Sequence, residues 1–144
     1  MQFITENFPL FLQLLVAMGL GMLIGVERTL AHKTAGLRTY GLVALGSCLF
    51  VVTALVIGDT LQIDGSEVMR VVAGIITGIG FLGAGAIILR QDTAVGLTTA
   101  AGLWVTAGIG IAVGLGLYGI AISATILTLA ALTVFWFVEQ RVRE

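Results

Sequence analysis

Charged residues are scarce in this chain, and each can be asked what it does. There are seven Lys+Arg and eight Asp+Glu among 144 residues. Glu27 and Arg28 follow the apolar run from Leu10 to Val26, about 25 Å of helix at the usual rise. That places them at or just inside a membrane boundary. An acid at a helix C-terminus opposes the macrodipole, and so does a base at an N-terminus. Glu27 ends one helix and Arg38 opens the next across a short return loop, so pairing relieves both conflicts. The spacing predicts a Glu27–Arg38 clasp that closes the first hairpin. The alternative makes the same residues a working site on the cytoplasmic face, because a charge at membrane depth is costly and commonly functional.

Thr39, Thr98 and Thr99 fall in the first turns of two further helices. Their hydroxyls are expected to cap those helices. With the free backbone N–H groups there and the charges of Arg38 and Arg90, they could instead cradle an anion. Asp92, beside Arg90, weakens such a site unless the two pair. Asp59, Asp64 and Glu67 share one loop, but a divalent cation needs convergent carboxylates, and a solvated loop is the simpler expectation. His32 is the sole histidine and is expected to be exposed on a loop. Cys48 stands alone, which excludes an intrachain disulfide and a cysteine zinc site. No nucleophile with a candidate base and no metal motif appears, so neither an enzyme nor a cofactor is expected. A net charge of −1 offers no basic field for nucleic acid.

The elements that must hold these groups are transmembrane helices. Hydrophobic residues make up 58% and charged residues 10%, against about 25% charge in a soluble domain. Mean hydropathy is +1.12. A bilayer core about 30 Å thick needs roughly 20 apolar residues per helix. The sequence predicts an all-α integral membrane protein with five spans, near 10–26, 40–57, 71–89, 97–113 and 117–138. Asn7 and Pro9 suit the start of the first. Only Gly114-Leu115-Gly116 separates the last two, which predicts a tight hairpin. One transmembrane domain, 1–144, is expected, with the first helix retained because no basic n-region precedes it.

Arg28, Lys33, Arg38, Arg90, Arg141 and Arg143 gather on one side of this arrangement and Arg70 stands alone on the other. The positive-inside rule then puts the C-terminus in the cytoplasm and the N-terminus outside. Tyr118 and Trp136 fall where interfacial aromatic anchors belong.

Gly21/Gly25 and Gly74/Gly78 have the spacing at which small residues let helix backbones meet. With Gly80, Gly83 and Gly85 they predict a third helix packed in the interior. Trp104 is expected to fill the groove those glycines leave, its indole N–H reaching Thr77 or Thr106. A shift of 60 residues lays Gly36-Leu37-Arg38-Thr39 over Gly96-Leu97-Thr98-Thr99, and Gly25 over Gly85. Helices 1–2 and 3–4 would then be parallel hairpin repeats, with a fifth helix added.

Four blocks carry a resemblance: Ile24-Gly25-Val26-Glu27-Arg28, Ala35-Gly36-Leu37-Arg38-Thr39, Gly78-Ile79-Gly80-Phe81-Leu82-Gly83-Ala84-Gly85, and Gly96-Leu97-Thr98-Thr99-Ala100-Ala101 with Trp104-Val105-Thr106-Ala107. In this order they resemble the MgtC/SapB family of bacterial inner-membrane proteins. The resemblance implies a role in low-magnesium adaptation and virulence-type stress survival. It also implies contact with another membrane complex, such as a transporter or the ATP synthase. The better-known members carry a cytoplasmic C-terminal domain, and none is expected here. Two functions are expected to compete. One is a regulator or accessory factor working through helix contacts in the lipid bilayer. The other is an oligomeric channel or transporter for a small ion. A homo-oligomer, most simply a dimer, is expected in either case.

Overall fold

The computed structural model describes the backbone of residues 2–62, 65–90 and 93–142, and the side chains of 8–62, 65–89, 93–134 and 141. Its elements are α1 (Gln2–Leu30), α2 (Leu37–Leu61), α3 (Ser66–Ala86), β1 (Ile88–Arg90), β2 (Thr93–Val95), α4 (Leu97–Gly114) and α5 (Tyr118–Val142). Phe8–Leu30 and the whole of α2, α3 and α4 are each long and apolar enough to cross a membrane, and α5 adds the shorter apolar stretch Tyr118–Val134. The five expected helices are all present.

Two boundaries differ from expectation. The first helix begins at Gln2 and carries Pro9 within it, so Asn7-Pro9 does not mark its start. The third ends at Ala86, where Ile87 turns extended, and the expected 71–89 span gives up its last residues to a hairpin. There Ile88 pairs with Val95, Leu89 with Ala94 and Arg90 with Thr93. Branched side chains favour this pleated form, and Gly96 permits the exit. Its φ is +99°, and a Cβ there would overlap the Ala86 carbonyl oxygen.

The centre of the bundle is α4, which touches every other helix. Small residues at four-residue spacing make that possible: Gly102, Thr106, Gly110 and Gly114. The Tyr40 ring lies on Gly102, the Ala44 carbonyl on Gly110, and Val51 on Gly114. Numbers rise together along both helices, so α2 and α4 run parallel. Gly21 meets Tyr40 and Gly25 meets Leu37, which makes α1 antiparallel to α2. Gly83 faces Ala100, so α3 opposes α4 and shares the direction of α1. These directions are those of the expected hairpin repeat. The packing is not repeated, because Gly25 is tightly covered while Gly85 has nothing within 4 Å.

The third helix is not interior. Only Val72, Ile79 and Gly83 of α3 are buried, and Gly74, Gly78, Gly80 and Gly85 face open space. A stripe at three- and four-residue spacing joins α3 to the bundle, and a groove lies on each side of it. The expected filling of a glycine groove by Trp104 also fails. Its side chain is 56% exposed, and the hydroxyls of Thr77 and Thr106 donate to carbonyls of their own helices. The glycines packed against backbone belong to α1 and α4 instead.

Candidate functional site

Among the described residues, the end of α1 brings the most deeply placed charges together. Arg28 is 4% exposed. Its Nη2 donates to Glu27 Oε1 at 2.6 Å, and its Nε donates to the other carboxylate oxygen. Glu27 is therefore paired with its neighbour, and the Glu27–Arg38 clasp does not form. Successive helical residues usually diverge, but two long side chains at a helix end can fold back into one bidentate contact. Arg38 instead points from the exposed face of the first turn of α2. Tyr40 is fully buried, and its hydroxyl donates to the Thr99 carbonyl at 3.2 Å. This one bond ties the start of α2 to the start of α4.

The expected threonine caps are also replaced. The residues preceding α2 and α4 are Gly36 and Gly96, and neither makes a side-chain cap bond. Thr39 and Thr98 are exposed, and Thr99 is buried. The cap of α2 comes from across the loop. Thr29 Oγ1 donates to the Gly25 carbonyl at 2.9 Å and accepts the Leu37 N–H at 3.0 Å. The hydroxyl thereby links the last turn of α1 to the first residue of α2. A threonine eight residues upstream carries no sequence signal of this kind, since capping is read within one turn.

At the other end, Gln13 Nε2 donates to the Val113 carbonyl at 3.4 Å, which also accepts the Gly116 N–H at 2.9 Å where α4 stops. The chain then turns through Gly116 at φ +75° into α5, as the short glycine linker predicts. Asp92 and Asp64 lie outside the described residues, as does the side chain of Arg90. His32 is exposed. Arg70 and Glu67 pair in the open at 3.1 Å. Among the described residues no three His, Cys, Asp or Glu side chains gather closely enough to hold a metal ion.

The grooves beside α3 complete the site. The larger, about 640 Å³, lies between α2 and α3, with Arg38 and Thr39 among its lining residues. The smaller, about 250 Å³, lies among α3, α4 and α5 and is lined by Ile76, Trp104, Gly108, Ile120 and Ala124. Among the described residues no charged group lines the smaller groove, and the larger has Arg38 alone.

Comparison with known proteins agrees with the quoted blocks. The protein named "Putative magnesium transporter YhiD" in Escherichia coli K12 is 45% identical over 115 residues, covering 78% of this chain and 54% of its own length. "Protein MgtC" of Salmonella typhimurium LT2 is 44% identical over 137 residues, covering 95% of this chain and 57% of its own. The chain thus spans a little over half the length of these relatives. No solved structure matches it. The MgtC family description matches residues 14–141, and this membrane protein belongs to the MgtC family.

Proposed function

We propose that the protein is a bacterial inner-membrane regulator of adaptation to low magnesium, acting by docking its helices against another membrane protein or a second copy of itself. The observation that carries this is the placement of small residues. Glycines on helices serve close backbone approach, as Gly21, Gly25, Gly110 and Gly114 do here. Gly80 and Gly108 have the same character with nothing within 4 Å. Gly108 lines the smaller groove with Trp104 and with Ile76 and Ile79 of α3, and Phe81 of α3 is 83% exposed. Such a face is shaped for a helix ridge.

The rival reading, a small-ion carrier, draws support from the name of the YhiD relative. Against it stands the distribution of charge. No Asp, Glu, Lys or Arg occurs in 10–26, 40–57, 71–89, 97–113 or 117–138. The Glu27–Arg28 pair at the end of α1 neutralises itself, and an ion-coupled path usually needs an ionisable group at membrane depth. The relatives' magnesium connection, virulence-type survival and contact with a transporter or ATP synthase come to this chain as part of the proposal. So does the orientation, N-terminus outside and C-terminus cytoplasmic. Topology reporters should find Gly65 outside and His32 inside, and the reverse would overturn it.

The docking face is tested by growth under magnesium limitation. A strain lacking its own copy should be rescued by the natural chain but not by Gly108→Leu. Overall folding should be intact, since no neighbour stands near that position. Full rescue by a well-expressed Gly108→Leu would overturn docking at this face.

A further inference from the structure

We propose that the groove between α2 and α3 is a binding site for an anionic phospholipid of the leaflet that bears Arg38. The groove is lined by polar residues at one end of α2 and by apolar ones beyond. Along α2 it runs from Arg38 to Phe50, about 18 Å of helix, close to one leaflet's share of a hydrocarbon core about 30 Å thick. Its walls are Leu42, Phe50 and Leu82, and Gly46, Gly74 and Gly78 leave the floor without side chains. A Cβ on any of these three glycines would meet nothing within 4 Å. Ser47, the polar residue deeper in the lining, is buried with its Cβ against Gly110 of α4, so the walls stay apolar below the mouth. The volume of about 640 Å³ falls in the range of small-ligand sites, and its largely apolar lining suits an acyl chain.

Charge is confined to the mouth. Arg38 is exposed there and makes no ion pair among the described residues. It belongs to the first turn of α2, where Thr29 already satisfies the Leu37 N–H and Gly36 the Tyr40 N–H. The N–H groups of Arg38 and Thr39 have no such partner among the described residues. A guanidinium, a hydroxyl and two free N–H donors at a helix N-terminus suit a phosphodiester. Basic pockets between membrane helices select acidic headgroups on the same grounds. An acyl chain in the groove below and the phosphate at its mouth would occupy both parts at once.

Native mass spectrometry of the purified protein tests this, with dioleoylphosphatidylglycerol and dioleoylphosphatidylcholine offered in equal amounts in mild detergent. The glycerol lipid should be retained about fivefold more than the choline lipid, the preference one cation near an acidic surface supports. Arg38→Gln should abolish that preference while chain binding persists. Gly78→Leu, which fills the floor, should lose both lipids while unfolding at the natural temperature. Inorganic phosphate at millimolar concentration should not displace the bound lipid. Equal retention of the two lipids by the natural protein would overturn the proposal, as would undiminished lipid binding by a folded Gly78→Leu. Displacement by free phosphate would assign the mouth to an anion and remove the lipid.

Discussion

Gly110→Ala is expected to destabilise the bundle severely, although it adds one methyl group. That methyl would overlap the Ala44 carbonyl oxygen and stand 2.9 Å from Ser47 Cβ. The first is backbone and cannot swing aside, so α2 and α4 must move apart. Since α4 touches every other helix, the shift spreads through the whole bundle. Overpacking typically costs about 1–3 kcal/mol, and this position belongs at the upper end. Gly78→Ala makes the contrast. Its Cβ meets nothing, and alanine is favoured over glycine within a helix by about 1 kcal/mol. Thermal unfolding in detergent should show a large loss for Gly110→Ala and no loss for Gly78→Ala. Equal behaviour of the two would mean that α4 is not the packing centre.

Glu27→Gln should be the most damaging polar substitution at the end of α1. It keeps the shape of the side chain but leaves the guanidinium of Arg28, 4% exposed, without its counter-ion. Breaking a buried pair costs about 3–5 kcal/mol, while replacing both partners with apolar groups is often neutral. Glu27→Gln with Arg28→Met should therefore recover most of what Glu27→Gln alone loses, giving a large coupling energy in a double-mutant cycle. Arg38→Gln should leave stability near the natural value, because Arg38 is exposed and does not pair with Glu27. If Arg38→Gln were as harmful as Glu27→Gln and coupled to it, the clasp between the two helices would be restored.

Composition and periodicity carried the fold a long way. Runs of apolar residues located all five helices, and Gly114-Leu115-Gly116 announced the last hairpin because few residues can make so short a turn. What they could not decide was which glycines pack. Gly74 and Gly78 have the same spacing as Gly21 and Gly25, yet one pair is open and the other lies against α2. The difference comes from tertiary neighbours, Tyr40 and Leu37, that local pattern does not contain. The row Gly102, Thr106, Gly110, Gly114 was a legible sign of a central helix, partly masked by the denser glycines of α3.

The site followed the same division. Glu27 and Arg28 were identifiable because charge after an apolar run is conspicuous, but dipole arguments chose Arg38 as the partner when Arg28 was adjacent. Side-chain reach at a helix end decided that contest. Thr29 escaped notice because its bond to Leu37 crosses a loop. Tyr40 escaped because nothing in the local pattern shows that its ring is buried and its hydroxyl bonded to the Thr99 carbonyl. The strands Ile88–Arg90 and Thr93–Val95 were absorbed into a span and a loop, since a short apolar run does not by itself distinguish strand from helix.

A chain that works by docking does not carry magnesium across the bilayer. Magnesium influx into sealed proteoliposomes, followed with an entrapped fluorescent indicator under an imposed inside-negative potential, addresses it directly. Influx should be indistinguishable from that of protein-free vesicles, with the reconstituted protein shown to be folded. Saturable, protein-dependent uptake that scales with the amount reconstituted would contradict it.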